Sequence, residues 1–119
     1  MYDHLGLRVK DLEASVGFYA AALKELGHEV VSHDKSSASL GSKSAPGLWL
    51  YADEATPTPV HLAFTARSRS AVDAFHRAGL KARGRDNGAP GIREDYSPSY
   101  YAAFLLDPDG NNVEAVCQK

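Results

Sequence analysis

A chain of 119 residues, 44% hydrophobic and 24% charged, suffices for one globular domain that buries about two-thirds of the surface its unfolded form exposes. Its 13 Lys and Arg stand against 15 Asp and Glu, for a formal net charge of -2 with no basic tract, which argues against nucleic acid and anionic membranes as partners. No run is apolar and long enough for a membrane span or signal peptide, and the single Cys117 makes no internal disulfide, so a cytoplasmic location is expected.

From His4, "HLGLRVKDLEASVGFYAAAL" reads as a short alternating strand, a polar break and a helix. In that helix Leu12, Val16, Tyr19, Leu23 and Leu26 recur at helical spacing, and Gly27 stops it. Three extended stretches follow, "HEVVSH", "SASLG" and "GLWLYAD", separated by turns. A hinge is expected near "TPTP", around Pro57 to Pro59. Then, from His61, "HLAFTARSRSAVDAFHRAGL" repeats the opening pattern. His4 meets His61, Leu7 meets Phe64, Phe18 meets Phe75 and Leu23 meets Leu80, with the spacing held at every pair. In this second helix Val72 and Phe75 recur in the same way more briefly, and Gly79 is expected to stop it. It is followed by "KARGRD", a Gly- and Pro-containing insertion "NGAPGIREDYSPS", then "YYAAFLLD" and "NNVEAVCQ". The expected fold is therefore α+β, one domain of two βαβββ modules, 1–56 and 57–119. Long insertions of this kind are often functional.

The turn "DPDGNN" delivers the chain into Val113-Glu114-Ala115-Val116, which places a carboxylate among apolar neighbours. Burying an ionised carboxylate alone costs several kcal/mol, so a cation, a protonated partner or a metal is expected beside Glu114. Cys117 falls on the opposite strand face and reads as a small core or edge residue. A lone strand histidine is usually a surface or hydrogen-bonded residue. His28, His33 and His76 lie outside the repeat pattern and read as ordinary surface histidines.

The paired βαβββ repeat, the histidine opening each module, the "RVKDLEASVGFYAAAL" helix entry and the closing "DPDGNNVE" together resemble the vicinal oxygen chelate superfamily. That superfamily includes glyoxalase I, extradiol dioxygenases, methylmalonyl-CoA epimerase, fosfomycin-resistance enzymes and bleomycin-binding proteins. The resemblance covers essentially the whole chain and implies an incomplete barrel around one divalent metal that chelates an oxygen-rich small-molecule substrate. It assigns His4, His61 and Glu114 as ligands, with Glu114 also the catalytic group. Trp49 falls opposite Glu114 in the repeat, where glyoxalase I has a second glutamate. Trp cannot ligate, so two imidazoles and one carboxylate remain, a set suited to iron, zinc, manganese, nickel or cobalt.

The same resemblance sets Arg8 where glyoxalase I binds a glutathione carboxylate; an ion pair of structural kind is the other reading. Trp49 either packs in the barrel or walls the site. Arg93, Tyr96, Tyr100 and Tyr101, in or beside the insertion, suit an anionic, oxygen-bearing ligand. The expected function is a metal-dependent lyase, isomerase or dioxygenase, and a homodimer is expected. The alternatives are thiol transfer to an antibiotic of the fosfomycin type and metal-free drug binding of the bleomycin type.

Overall fold

Alternation in "LGLRV" turns Leu7 and Val9 inward and forms β1 (Leu5–Val9) in the computed structural model, which describes residues 1–55 and 58–119. The expected boundary between positions 56 and 57 lies outside the described residues. Helix α1 (Leu12–Lys24) starts at Asp11, whose carboxylate accepts from the Ala14 amide at 3.0 Å. It ends in a reversal at Gly27, whose φ of 92° suits glycine, with the His28 amide donating back to Leu23. Strands β2 (Glu29–His33), β3 (Ser37–Ser42) and β4 (Ala45–Ala52) complete the first module. The second repeats the order with β5 (His61–Thr65), α2 (Arg69–Lys81), β6 (Arg85–Ile92), β7 (Tyr101–Leu106) and β8 (Asn112–Cys117).

Each module is a four-stranded mixed sheet, in the orders β1-β4-β3-β2 and β5-β8-β7-β6. The first and last strands of each module are parallel and the other pairs antiparallel. The helices cover one face of each sheet and pack on each other. One apolar cluster, with Phe18, Leu23, Leu40, Leu50, Phe75, Leu105 and Val113 among its members, runs through both modules. The opposite face of each sheet stays open. Cys117 lies in the cluster, as its strand position implies.

The "DPDGNN" turn does more than reverse the chain. Asp107 is fully buried, and its carboxylate accepts from the amides of Asp109 and Asn111, the Asn111 side chain and, at 2.6 Å, the Tyr19 hydroxyl of α1. Burial and the neighbouring carboxylate hold the Tyr19 phenol well above its usual range. Asp109 accepts from the Lys10 amide and the Ser15 hydroxyl at the start of α1. Module 2 is thereby fastened to module 1.

Three expectations are corrected. Helix α2 runs past Gly79, its expected stop, to Lys81. Of "KARGRD" only Arg85 and Asp86 are strand, since Lys81 ends α2 and 82–84 connect the two, and β6 continues from Arg85 through Gly88, Pro90 and Gly91 to Ile92, so the inserted loop shrinks to the segment between β6 and β7. The strand lies at the sheet edge with register shifts around Gly88 and Gly91, a setting that tolerates residues which otherwise read as loop. His76 is 9% exposed, not a surface residue. It follows Phe75 on the inner side of α2, and its Nε2 lies 2.9 Å from Asp86. No helix among the described residues is long and apolar enough to cross a membrane.

Candidate functional site

The alternation that buries Val113, Ala115 and Cys117 sends Glu114 to the open face of the second sheet. In the parallel β5–β8 pairing Ala63 stands opposite Glu114, so His61, two residues earlier, reaches the same face. Its Nε2 lies 2.8 Å from Glu114 Oε2. Glu114 is 2% exposed while the His61 side chain is 53% exposed. The Tyr100 hydroxyl donates to the other carboxylate oxygen at 2.5 Å. Burial, then the bond and charge of Glu114, push the Tyr100 phenol up to about 12. Both oxygens of the buried carboxylate are thus met by side chains of its own module.

Two further groups flank this trio. Phe104 is the β7 neighbour of Glu114, and its ring centre stands 6.4 Å from that of His61. Arg93 lies over the Phe104 ring, with Cζ 5.3 Å from its centre, and its Nη2 donates to the Ala89 carbonyl at 2.7 Å. Tyr96, an exposed residue, sets its ring edge-on to Tyr100 at 5.0 Å. Tyr101 is turned the other way: its hydroxyl donates to Asp73 of α2 at 2.6 Å and Arg69 stacks on its ring. Tyr101 is therefore on the helix side of the sheet, away from Glu114.

The first module holds the remaining residues. Gly6 pairs with Trp49 as Ala63 pairs with Glu114, so Trp49 occupies the place of Glu114 in the repeat. Half-buried, it stacks nearly parallel on Tyr51 at 6.3 Å. His4, just before β1, is largely exposed with Nδ1 2.7 Å from Asp3. His4, Trp49, Tyr51 and residues 44–46, where the chain enters β4, line a cleft of about 440 Å³. Arg8 is 71% exposed, with Nε 3.7 Å from Asp53, a distance that marks a weak surface pair.

His61, Glu114 and Tyr100 are thus brought together, and His4 and Trp49 separately. Among the described residues no three His, Cys, Asp or Glu side chains gather closely enough to hold a metal ion. The pair of an imidazole and a carboxylate suits a divalent ion in its donor chemistry, but the third expected ligand does not join it within one chain. Sequence reasoning missed Phe104 as a site residue. The signal was available, because the antiparallel strand before "DPDGNN" places alternate residues beside Glu114. The role of Tyr100 as donor to Glu114 had no comparable signal.

A family model described as the glyoxalase/bleomycin resistance protein/dioxygenase superfamily matches residues 2–115. Among solved structures, the chain is similar to a glyoxalase/bleomycin resistance protein from Albidiferax ferrireducens T118, with 32% identity, a TM-score of 0.79 and 98% and 97% of the two chains covered. It is also similar to a Bacillus halodurans structure, with 29% identity, a TM-score of 0.75 and 98% and 94% coverage. The same fold recurs in a family enzyme from Burkholderia phytofirmans PsJN, at 18% identity, a TM-score of 0.75 and 98% of each chain. No curated protein matches significantly. With the repeat, the paired sheets and a family match across nearly its whole length, the chain belongs to the glyoxalase/bleomycin resistance protein/dioxygenase superfamily.

Proposed function

We propose that the protein is a divalent-metal-dependent enzyme, of lyase, isomerase or dioxygenase type, acting on a small oxygen-rich substrate in the cytoplasm. Its centre is shared between two copies in a homodimer: His61 and Glu114 of one chain with His4 of the other. One observation carries this reading. Glu114 is buried on an open sheet face and bonded to His61 at 2.8 Å, while its repeat-related position in the other module is Trp49 beside His4. Each module holds part of a donor set, and neither holds the whole.

A divalent ion of the iron, zinc, manganese, nickel or cobalt kind would polarise a chelated substrate oxygen there. Tyr100 fixes the Glu114 carboxylate through Oε1, so Oε2 is the oxygen left toward the open face, 2.8 Å from His61 Nε2. Phe104 and Trp49 supply apolar walls that exclude water, and Arg8, Arg93 and Tyr96 stand at the rim.

The test is metal analysis and calorimetry on the wild type and on His4→Ala, His61→Ala and Glu114→Gln. The wild type is expected to take one ion per chain. Each variant should lose more affinity than the roughly 10–100-fold that outer-shell changes cost. Mixing His4→Ala chains with Glu114→Gln chains should restore roughly a quarter of the sites by random two-fold pairing. If the single variants lose the ion and the mixture restores none, the shared centre is wrong. A wild type that binds no ion favours the second reading, a metal-free binding protein of the bleomycin type. That reading draws on the satisfaction of Glu114 by His61 and Tyr100 alone.

A further inference from the structure

We propose that module 2 contains a built receptor for an anionic group of the ligand, and that the Arg93 guanidinium is that receptor. The inference rests on the proposed site for where the ligand sits. It goes further in naming the ligand class: a small molecule whose chelating oxygens are separated by an apolar portion from a carboxylate or phosphate.

Arg93 is not a loose surface arginine. Its side chain is half-buried, its Nη2 donates to the Ala89 carbonyl at 2.7 Å, and its Cζ rests 5.3 Å over Phe104. The backbone has cleared space for it. A Cβ on Gly88 would come within 3.2 Å of Nη2, and one on Gly91 within 3.2 Å of Nη1. Two glycines of β6 thus form a cradle that a larger residue would fill.

Among the described residues no carboxylate lies within ion-pair distance of Arg93. A guanidinium offers five N–H donors in a planar fork, and the protein engages it through one carbonyl. The remaining donors suit a two-pronged bond to a carboxylate or phosphate. The position completes the case. Phe104 is the cross-strand neighbour of Glu114 and lies 6.4 Å from the His61 ring. A ligand bound at Glu114 therefore meets first an aromatic surface and then a fixed positive charge. The three groups form one row across the open face: acid, ring, cation.

The experiment compares matched chelators that differ by one carboxylate: catechol with protocatechuate, and propionohydroxamate with the monohydroxamate of succinate. Calorimetry is done on the zinc-loaded full chain. The wild type should bind at least one carboxylate-bearing member about tenfold more tightly than its neutral parent, the scale of one charge-assisted contact. Arg93→Gln should abolish that preference and leave the neutral parents and zinc affinity unchanged. Gly91→Ala, which keeps the charge but crowds Nη1, should reduce the preference as well, and Arg93→Lys should restore only part of it. The receptor is disproved by a wild type that binds neither carboxylate-bearing probe or shows no preference, by a preference that survives Arg93→Gln, or by a Gly91→Ala protein identical to wild type. If the wild type takes up no zinc, the metal reading fails separately. The same pairs titrated into metal-free protein then decide Arg93 by the same criteria.

Discussion

Asp86 and His76 meet across α2 and β6, 2.9 Å apart, with Asp86 also accepting from the Gly88 amide. That amide first, and His76 second, hold the Asp86 carboxyl below its usual range. A depressed carboxyl adds stability above its unfolded value of about 3.9 and loses it as pH falls through the lower folded value. Asp86→Asn should therefore lower the melting temperature near neutrality and flatten its decline between about pH 5 and pH 3. Parallel melting curves for variant and wild type would show that the folded environment of Asp86 contributes nothing. At this scale the sequence was partly legible. The repeat singled out His61, and a carboxylate set in an apolar strand singled out Glu114, because strand alternation fixes which face a residue takes. Tyr100 and Tyr101 were inseparable by eye, yet one bonds Glu114 and the other bonds Asp73 on the far face.

Among the elements, α2 sits on the second sheet through a glycine. A Cβ on Gly79 would stand 2.3 Å from Leu105 Cδ1 and 3.3 Å from Phe18 Cε1, so the helix seats tightly because this position has no side chain. Gly79→Ala gains up to about 1 kcal/mol of helix propensity but overpacks the core at a cost of about 1–3 kcal/mol. The expected outcome is a lower urea midpoint with an unchanged denaturant slope; a midpoint at or above wild type would mean that Leu105 yields easily. Both helices and the repeat of two modules were readable, since their apolar positions recur at helical spacing, although α2 continues past Gly79 to Lys81. Strand β6 was not. "RDNGAPGI" has almost no strand-forming composition, and only pairing with β7 at the sheet edge makes it extended.

Across the whole molecule, the modules are joined by the helix pair, by the shared core and by the bonds from Asp107 and Asp109 to α1. Tyr19→Phe removes one of these while Asn111 remains on the same Asp107 oxygen. A loss of about 1–3 kcal/mol in urea unfolding is expected, in a single transition with both halves melting together. Loss confined to one half would show that the modules unfold independently. The Asp107 turn also bears on how the halves relate as copies. Module 1 turns between its last two strands through "SKSA", and so has no aspartate to offer in return: the fastening runs one way, from the second copy to the first. A chain severed between the modules would yield unequal fragments, one left with the Tyr19 hydroxyl unanswered and the other with Asp109 stripped of its bonds from Lys10 and Ser15. Each would need the other to fold, which makes the duplicated halves natural parts for a split reporter and poor candidates for life as separate proteins.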